Sequence, residues 1–220
     1  MLRAQRVALV RLAMVALVVA AVVATVAEAA SRTTINPFNM FGYFTVQSNI
    51  ILAVVYVAVA VPVLRGRSAG RPVQPADDRL VLARACAVTY IAVVGVVYAL
   101  LLAPLGAAGG VPVAWANLAL HVVTPLFGVA DWLLAPDRRR LPLRNVGIML
   151  VYPAVWVAVV LVRGATDGWF PYPFFDPATG YPTIVVYVLA IAVSITTVGL
   201  LVLAATRLPS TARMTESSPL

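Results

Sequence analysis

Of the 220 residues, 62% are hydrophobic and 11% charged; a water-soluble domain usually carries about a quarter charged residues. A surface that poor in charge is expected to face lipid, and the length allows one helical bundle with no second domain. The net charge of +8 comes from arginine alone, with no lysine in the chain. These arginines sit between apolar runs, where they orient membrane helices. No basic fold or aromatic platform accompanies them, so nucleic-acid binding is not expected.

Cys86 is the one cysteine. It can form neither an intrachain disulfide nor a thiolate cluster, and reads as a small buried hydrophobe. His121 is the one histidine, which excludes a bis-histidine haem. No cofactor and no metal are expected.

Six apolar runs follow in order, each near the roughly 20 residues that a span needs. The first is Val7–Ala27, after Arg3 and Arg6. Ala27-Glu28-Ala29-Ala30 before Ser31 resembles a signal-peptidase site, but the run is long, is interrupted by Arg11 and leads straight into another span. A retained helix is the better reading. The second run, Phe41–Leu64, opens with Gly42-Tyr43-Phe44-Thr45-Val46-Gln47-Ser48-Asn49, and a polar loop from Arg65 to Arg79 follows. The third is Leu80–Leu105, closed by Pro104 and the Gly106–Gly110 turn. The fourth, Val113–Leu134, ends at Pro136-Asp137-Arg138-Arg139-Arg140. Val146–Val162 is the fifth. The sixth, Thr183–Thr206, leaves a short polar tail from 209 to 220 that is expected to be disordered.

Alternating the runs across a bilayer puts fourteen arginines on one side and only Arg32 and Arg163 on the other. That asymmetry predicts six spans with both termini in the cytoplasm. The expected fold class is therefore all-α: a polytopic bundle of six transmembrane helices over residues 1–208, in the cell membrane. The composition, rich in Ala and Val and free of Lys, is that of a GC-rich bacterium. The longest external segment, Arg163 to Pro182, holds too many prolines for a regular helix. Its Trp169 and Tyr172 read either as interfacial anchors or as part of a lid over a pocket.

Polar side chains inside spans are costly, so their placement carries information. On a wheel of about 100° per residue, Asn117, His121, Thr124, Gly128 and Asp131 fall within a narrow arc of the fourth helix. Thr45, Ser48 and Asn49 share a face of the second helix, and Gln47 points elsewhere. With a rise of about 1.5 Å per residue, both groups lie in the outer half of the bundle, where they can share a cavity. Interhelical hydrogen bonding alone accounts for such Ser and Asn positions; a lone imidazole at membrane depth is a functional candidate.

Phe44-Thr45 at the head of the second helix, Asn117-x-x-x-His121-x-x-x-Pro125 in the fourth, and Gly168-Trp169 with Tyr172-Pro173-Phe174 before the sixth resemble the androgen-induced, FAR-17a-like membrane proteins. The order and six-helix layout agree, so the resemblance spans nearly the whole chain. In animal members an intramembrane Thr and His hydrolyse fatty acid esters of hydroxy fatty acids. The resemblance implies Thr45 as nucleophile and His121 as its base. The more polar Val46-Gln47-Ser48-Asn49 stretch departs from the animal pattern, which bears on the substrate more than on the chemistry. A Thr hydroxyl needs a neighbouring base to attack, and an imidazole can serve and then protonate the leaving alkoxide. Ser48, Asn49 and Asn117 are the candidate substrate-binding or oxyanion donors. Glu28 is the candidate carboxylate to orient the imidazole, since Asp131 lies nearly three turns away. The partners this implies are the bilayer and a lipid-like ester. A transporter, or a scaffold for other proteins, is the alternative; repeated halves or broken helices, common in transporters, are not evident.

Overall fold

The computed structural model describes residues 3–68, 77–135 and 137–208; the tail expected to be disordered lies outside them. These residues form helices and loops with no strand, and six helices are long and apolar enough to cross a membrane. They are α1 (Arg3–Arg32), α2 (Phe44–Ser68), α3 (Asp78–Val97), α4 (Ala114–Leu134), α5 (Val146–Thr166) and α6 (Tyr181–Ala205). The helices run past the apolar stretches at several ends. Arg65, expected to open a loop, lies in the last turns of α2, because a long arginine can lie along a helix end and keep its charge at the interface.

Helix α3 is the hub and packs against α2, α4 and α6, while α1 lies along α2 and α4, and α5 along α6. Small residues let the backbones approach, as at other membrane-helix contacts. A Cβ on Gly128 of α4 would come within 2.9 Å of Ile91 Cγ2 on α3, and one on Gly95 of α3 would lie 2.9 Å from Pro125 Cβ on α4. The outward face of α5 carries exposed Val151, Val155, Val159 and Val162, and that of α6 carries Val185, Val186, Leu189 and Val193. Apolar stripes of this extent suit contact with lipid.

Two π-helical turns interrupt the spans, and a proline follows closely on each. One, Tyr98–Leu102, continues α3; the other, Ala119–Val123, lies inside α4. The Thr124 N–H donates to Ala119 O, and the Ala103 N–H to Tyr98 O, each five residues back. Pro125 and Pro104 come next, and a proline has no N–H to give. The carbonyls of Leu120 and Ala99 therefore lack the usual backbone donor. π-turns recur at functional sites, and these two bring Tyr98 and His121 face to face.

At the arginine-rich end, Arg11 of α1 binds both Asp131 of α4 and Asp137 just beyond it, at 2.9 and 2.7 Å. Asp137 also accepts from Arg84 of α3 at 2.6 Å. At the other end the 167–180 loop folds inward as two 3-10 turns, Pro173–Phe175 and Pro177–Thr179. It buries Tyr172, Phe174 and Phe175 against Trp156 and Ile184. The segment lines two cavities through Tyr172, while Trp169 is held under the Arg163 guanidinium, 4.2 Å from its ring.

Candidate active site

Thr45 is the second residue of α2, where the first-turn N–H groups have no helical acceptor. The Tyr172 hydroxyl supplies one. It accepts from the Thr45 N–H at 3.2 Å and lies 3.2 Å from Thr45 Oγ1, either hydroxyl being able to donate in that second contact. Both side chains are buried. The Tyr172 ring is held by Tyr43, Trp156 and Phe174, with centroids 5.7, 6.1 and 5.2 Å away. Burial pushes the Tyr172 phenol up to about 12, so at neutral pH it is a hydrogen-bond donor.

His121 sits in the π-turn of α4, 5% exposed. Its Nδ1 lies 3.1 Å from the Asn117 carbonyl. Since a carbonyl can only accept, Nδ1 carries the proton in that contact, leaving Nε2 as the basic nitrogen. The Tyr98 ring stacks on the imidazole at 4.4 Å, and the Asn117 Nδ2 donates to the Tyr98 hydroxyl at 2.7 Å. Backbone carbonyl, imidazole, phenol and amide thus lock one another in place.

Thr45 and His121 line one cavity of about 210 Å³, together with Thr25 and Ala29 of α1, Tyr43, Tyr172 and the Gly109–Pro112 loop. Gly110 is needed there, because a Cβ would stand 2.5 Å from Asn117 Oδ1. No direct hydrogen bond joins the pair: the Thr45 hydroxyl is engaged by Tyr172 and His121 Nδ1 by the Asn117 carbonyl. A second cavity of about 410 Å³ lies between α3, α5 and α6. Its walls are apolar apart from Thr45 and Tyr172 at one end. Thr45, Leu102 and Tyr172 line both cavities and form the wall between them.

The other residues singled out in the sequence stand elsewhere. Asn49 donates through Nδ2 to the carbonyls of Thr45 and Leu120, at 2.9 and 3.2 Å, and accepts from Thr124 Oγ1 at 2.7 Å. Both of its N–H bonds are spent on backbone, one of them on the carbonyl that the π-turn and Pro125 leave without a backbone donor. It therefore ties α2 to α4 and has no donor for an oxyanion. Asn117 donates one Nδ2 hydrogen to Tyr98 and accepts the Val111 N–H, and it lines neither cavity. Ser48 is fully buried and lines neither cavity. Glu28 turns outward and pairs with Arg32 one turn along α1; the Asn117 carbonyl, not a carboxylate, orients the imidazole. Gln47 bonds Tyr152 and the Phe41 carbonyl, lining a separate surface groove. The sequence marked Tyr172 as an interfacial or lid aromatic and as part of the resemblance but not as a partner of Thr45, because loop residues obey no periodicity that would place them on a helix face. Among the described residues no group of acidic, His or Cys side chains could hold a metal ion. No protein-family model, curated protein or solved structure matches the chain.

Proposed function

We propose that this protein is an intramembrane lipid-ester hydrolase, with Thr45 as nucleophile and His121 as general base. One observation carries the reading. The Thr45 hydroxyl lies at the junction of an apolar cavity and a second cavity that holds the only imidazole in the chain. An ester carbonyl placed at that junction meets a hydroxyl whose proton His121 Nε2 can take once substrate tightens the geometry, as catalytic contacts often do. Attack forms the Thr45–acyl bond and, as the alkoxide departs, the imidazolium returns the proton to it. A water, deprotonated by the same Nε2, then releases the acid and restores Thr45. Negative charge on the carbonyl oxygen is met by the Tyr172 phenol and by the positive N-terminal end of α2. The resemblance to FAR-17a-like proteins points the same way, and the arginine asymmetry favours a cell membrane with both termini in the cytoplasm.

A fluorophosphonate probe added to detergent-purified protein is expected to form an adduct that peptide mapping places on Thr45 and that Thr45→Ala abolishes. A transporter or scaffold forms no such adduct. Tyr172→Phe keeps the ring packing and removes the hydroxyl. It is expected to lower kcat about tenfold, the worth of one hydrogen bond near 1.4 kcal/mol, with KM little changed. An unaltered kcat in steady-state assays would remove Tyr172 from the mechanism.

A further inference from the structure

The wall formed by Thr45 and Tyr172 divides two cavities of different size and chemistry, and an ester straddling it must put its acyl part on one side and its alcohol part on the other. The larger cavity, about 410 Å³, is lined by Val93, Val94, Val97, Val157, Val188 and Ile191 among others. Hydrocarbon is its natural occupant, since beyond Thr45 and Tyr172 at one end its lining offers no partner to a polar group, and burying one unpaired is costly. A protein cavity near 150 Å³ takes a benzene of six carbons; on that scale the larger cavity holds about 16 carbons and the smaller about eight non-hydrogen atoms.

The smaller cavity differs in kind. Thr25, Tyr43, Thr45, Tyr172, His121, Gly109 and Gly110 line it beside apolar residues such as Met40, Val46, Leu102 and Leu120, and no arginine or carboxylate does. The nearest charges are spent on each other or lie elsewhere: Glu28 pairs with Arg32, and Arg163 belongs to the surface groove with Asp167. A free carboxylate or phosphate on the alcohol part would enter this cavity without a counter-charge, which is unfavourable. Hydroxyl groups would find both donors and acceptors.

From these observations we infer that the substrate is a monoester of a hydrocarbon acid with a small uncharged polyol of glycerol size, acyl chain in the apolar cavity and polyol in the cavity of His121. This rests on the ester-hydrolase reading and names its substrate class. It disfavours an anionic hydroxy-fatty-acid alcohol, which carries both a long chain and a carboxylate.

The test holds the acyl chain fixed and varies the alcohol, then the reverse, using full-length protein in detergent micelles. The glyceryl monoester is expected to exceed the ester of a long-chain hydroxy acid in kcat/KM by at least about tenfold, the low end of what pocket complementarity supplies. Two variants assign the arms. Ala29→Phe, which fills the smaller cavity, is expected to lower the ratio of glyceryl- to methyl-ester turnover and keep the acyl-length profile. Ala192→Phe, which fills the larger, is expected to shift that profile to shorter chains and keep the alcohol ratio. Equal or better turnover of the anionic ester, or the opposite assignment of the two variants, would overturn the inference while leaving Thr45-dependent hydrolysis standing. Absence of Thr45-dependent hydrolysis for every ester would overturn the hydrolase reading with it.

Discussion

Arg11→Ala is expected to destabilise the bundle by about 3–5 kcal/mol, the scale for stranding a buried charge. The Arg11 side chain is 3% exposed and Asp131 4%. Nε and Nη2 of Arg11 donate to the two Asp131 oxygens at 2.9 and 3.1 Å, while Nη1 reaches Asp137 at 2.7 Å. Removing the guanidinium leaves Asp131 charged, buried and without that partner. The double variant Arg11→Met with Asp131→Leu is therefore expected to recover much of the loss, since well-packed apolar residues often replace a buried pair at little cost. Thermal unfolding in detergent reads both; an Arg11→Ala midpoint equal to wild type would contradict the account of this cluster.

The same cluster sets an acid dependence. Burial raises the Asp137 carboxyl, but hydrogen bonds from Arg11 and the nearby charges of Arg84 and Arg11 outweigh it and hold the group well below the usual carboxylate range. A folded-state value that is depressed gives stability present above the unfolded value of about 3.9 and lost as pH falls towards the folded one. Wild type is expected to lose stability on acidification below about pH 4, and Arg11→Ala to lose less, since one of the two cations that depress Asp137 is gone.

The six spans were legible because a run of twenty apolar residues has few alternatives. Thr45 and His121 were legible as well, and the structure places both on one cavity. Asn49 was misplaced for a specific reason. A uniform helical wheel cannot register a π-turn, and the carbonyl that Asn49 serves lacks a backbone donor only because Thr124 bonds Ala119 and residue 125 is proline. The signal was present in Thr124-Pro125, where the proline counted only towards the family resemblance, and in Ala103-Pro104, read as the close of the third run. Glu28 had a plainer signal in Arg32, four residues on, since Glu before a basic residue at that spacing pairs along a helix face. Tyr172 reaches Thr45 across 127 positions of sequence, a distance that no local pattern encodes.

Thr45→Ala and His121→Ala are each expected to lower ester turnover by about 10² or more, the scale for losing a positioned acid–base group. The double variant is expected to lose little beyond either single one, because nucleophile and base act as a unit. His121→Ala also removes the ring that Tyr98 stacks upon at 4.4 Å. Circular dichroism and detergent melting must therefore match wild type before the kinetics are compared. Asn49→Ala is a useful contrast. It breaks the ties to Leu120 and Thr124, and is expected to lower the melting temperature more than it lowers kcat per folded molecule.

The most direct measurement is the steady-state hydrolysis of a glyceryl monoester by folded His121→Ala protein. Loss of turnover by about 10² or more, with the fold intact and fluorophosphonate labelling of Thr45 slowed in parallel, is the predicted result. Full turnover by a well-folded His121→Ala protein would contradict the catalytic pair and leave the polar groups around Thr45 as helix-packing contacts.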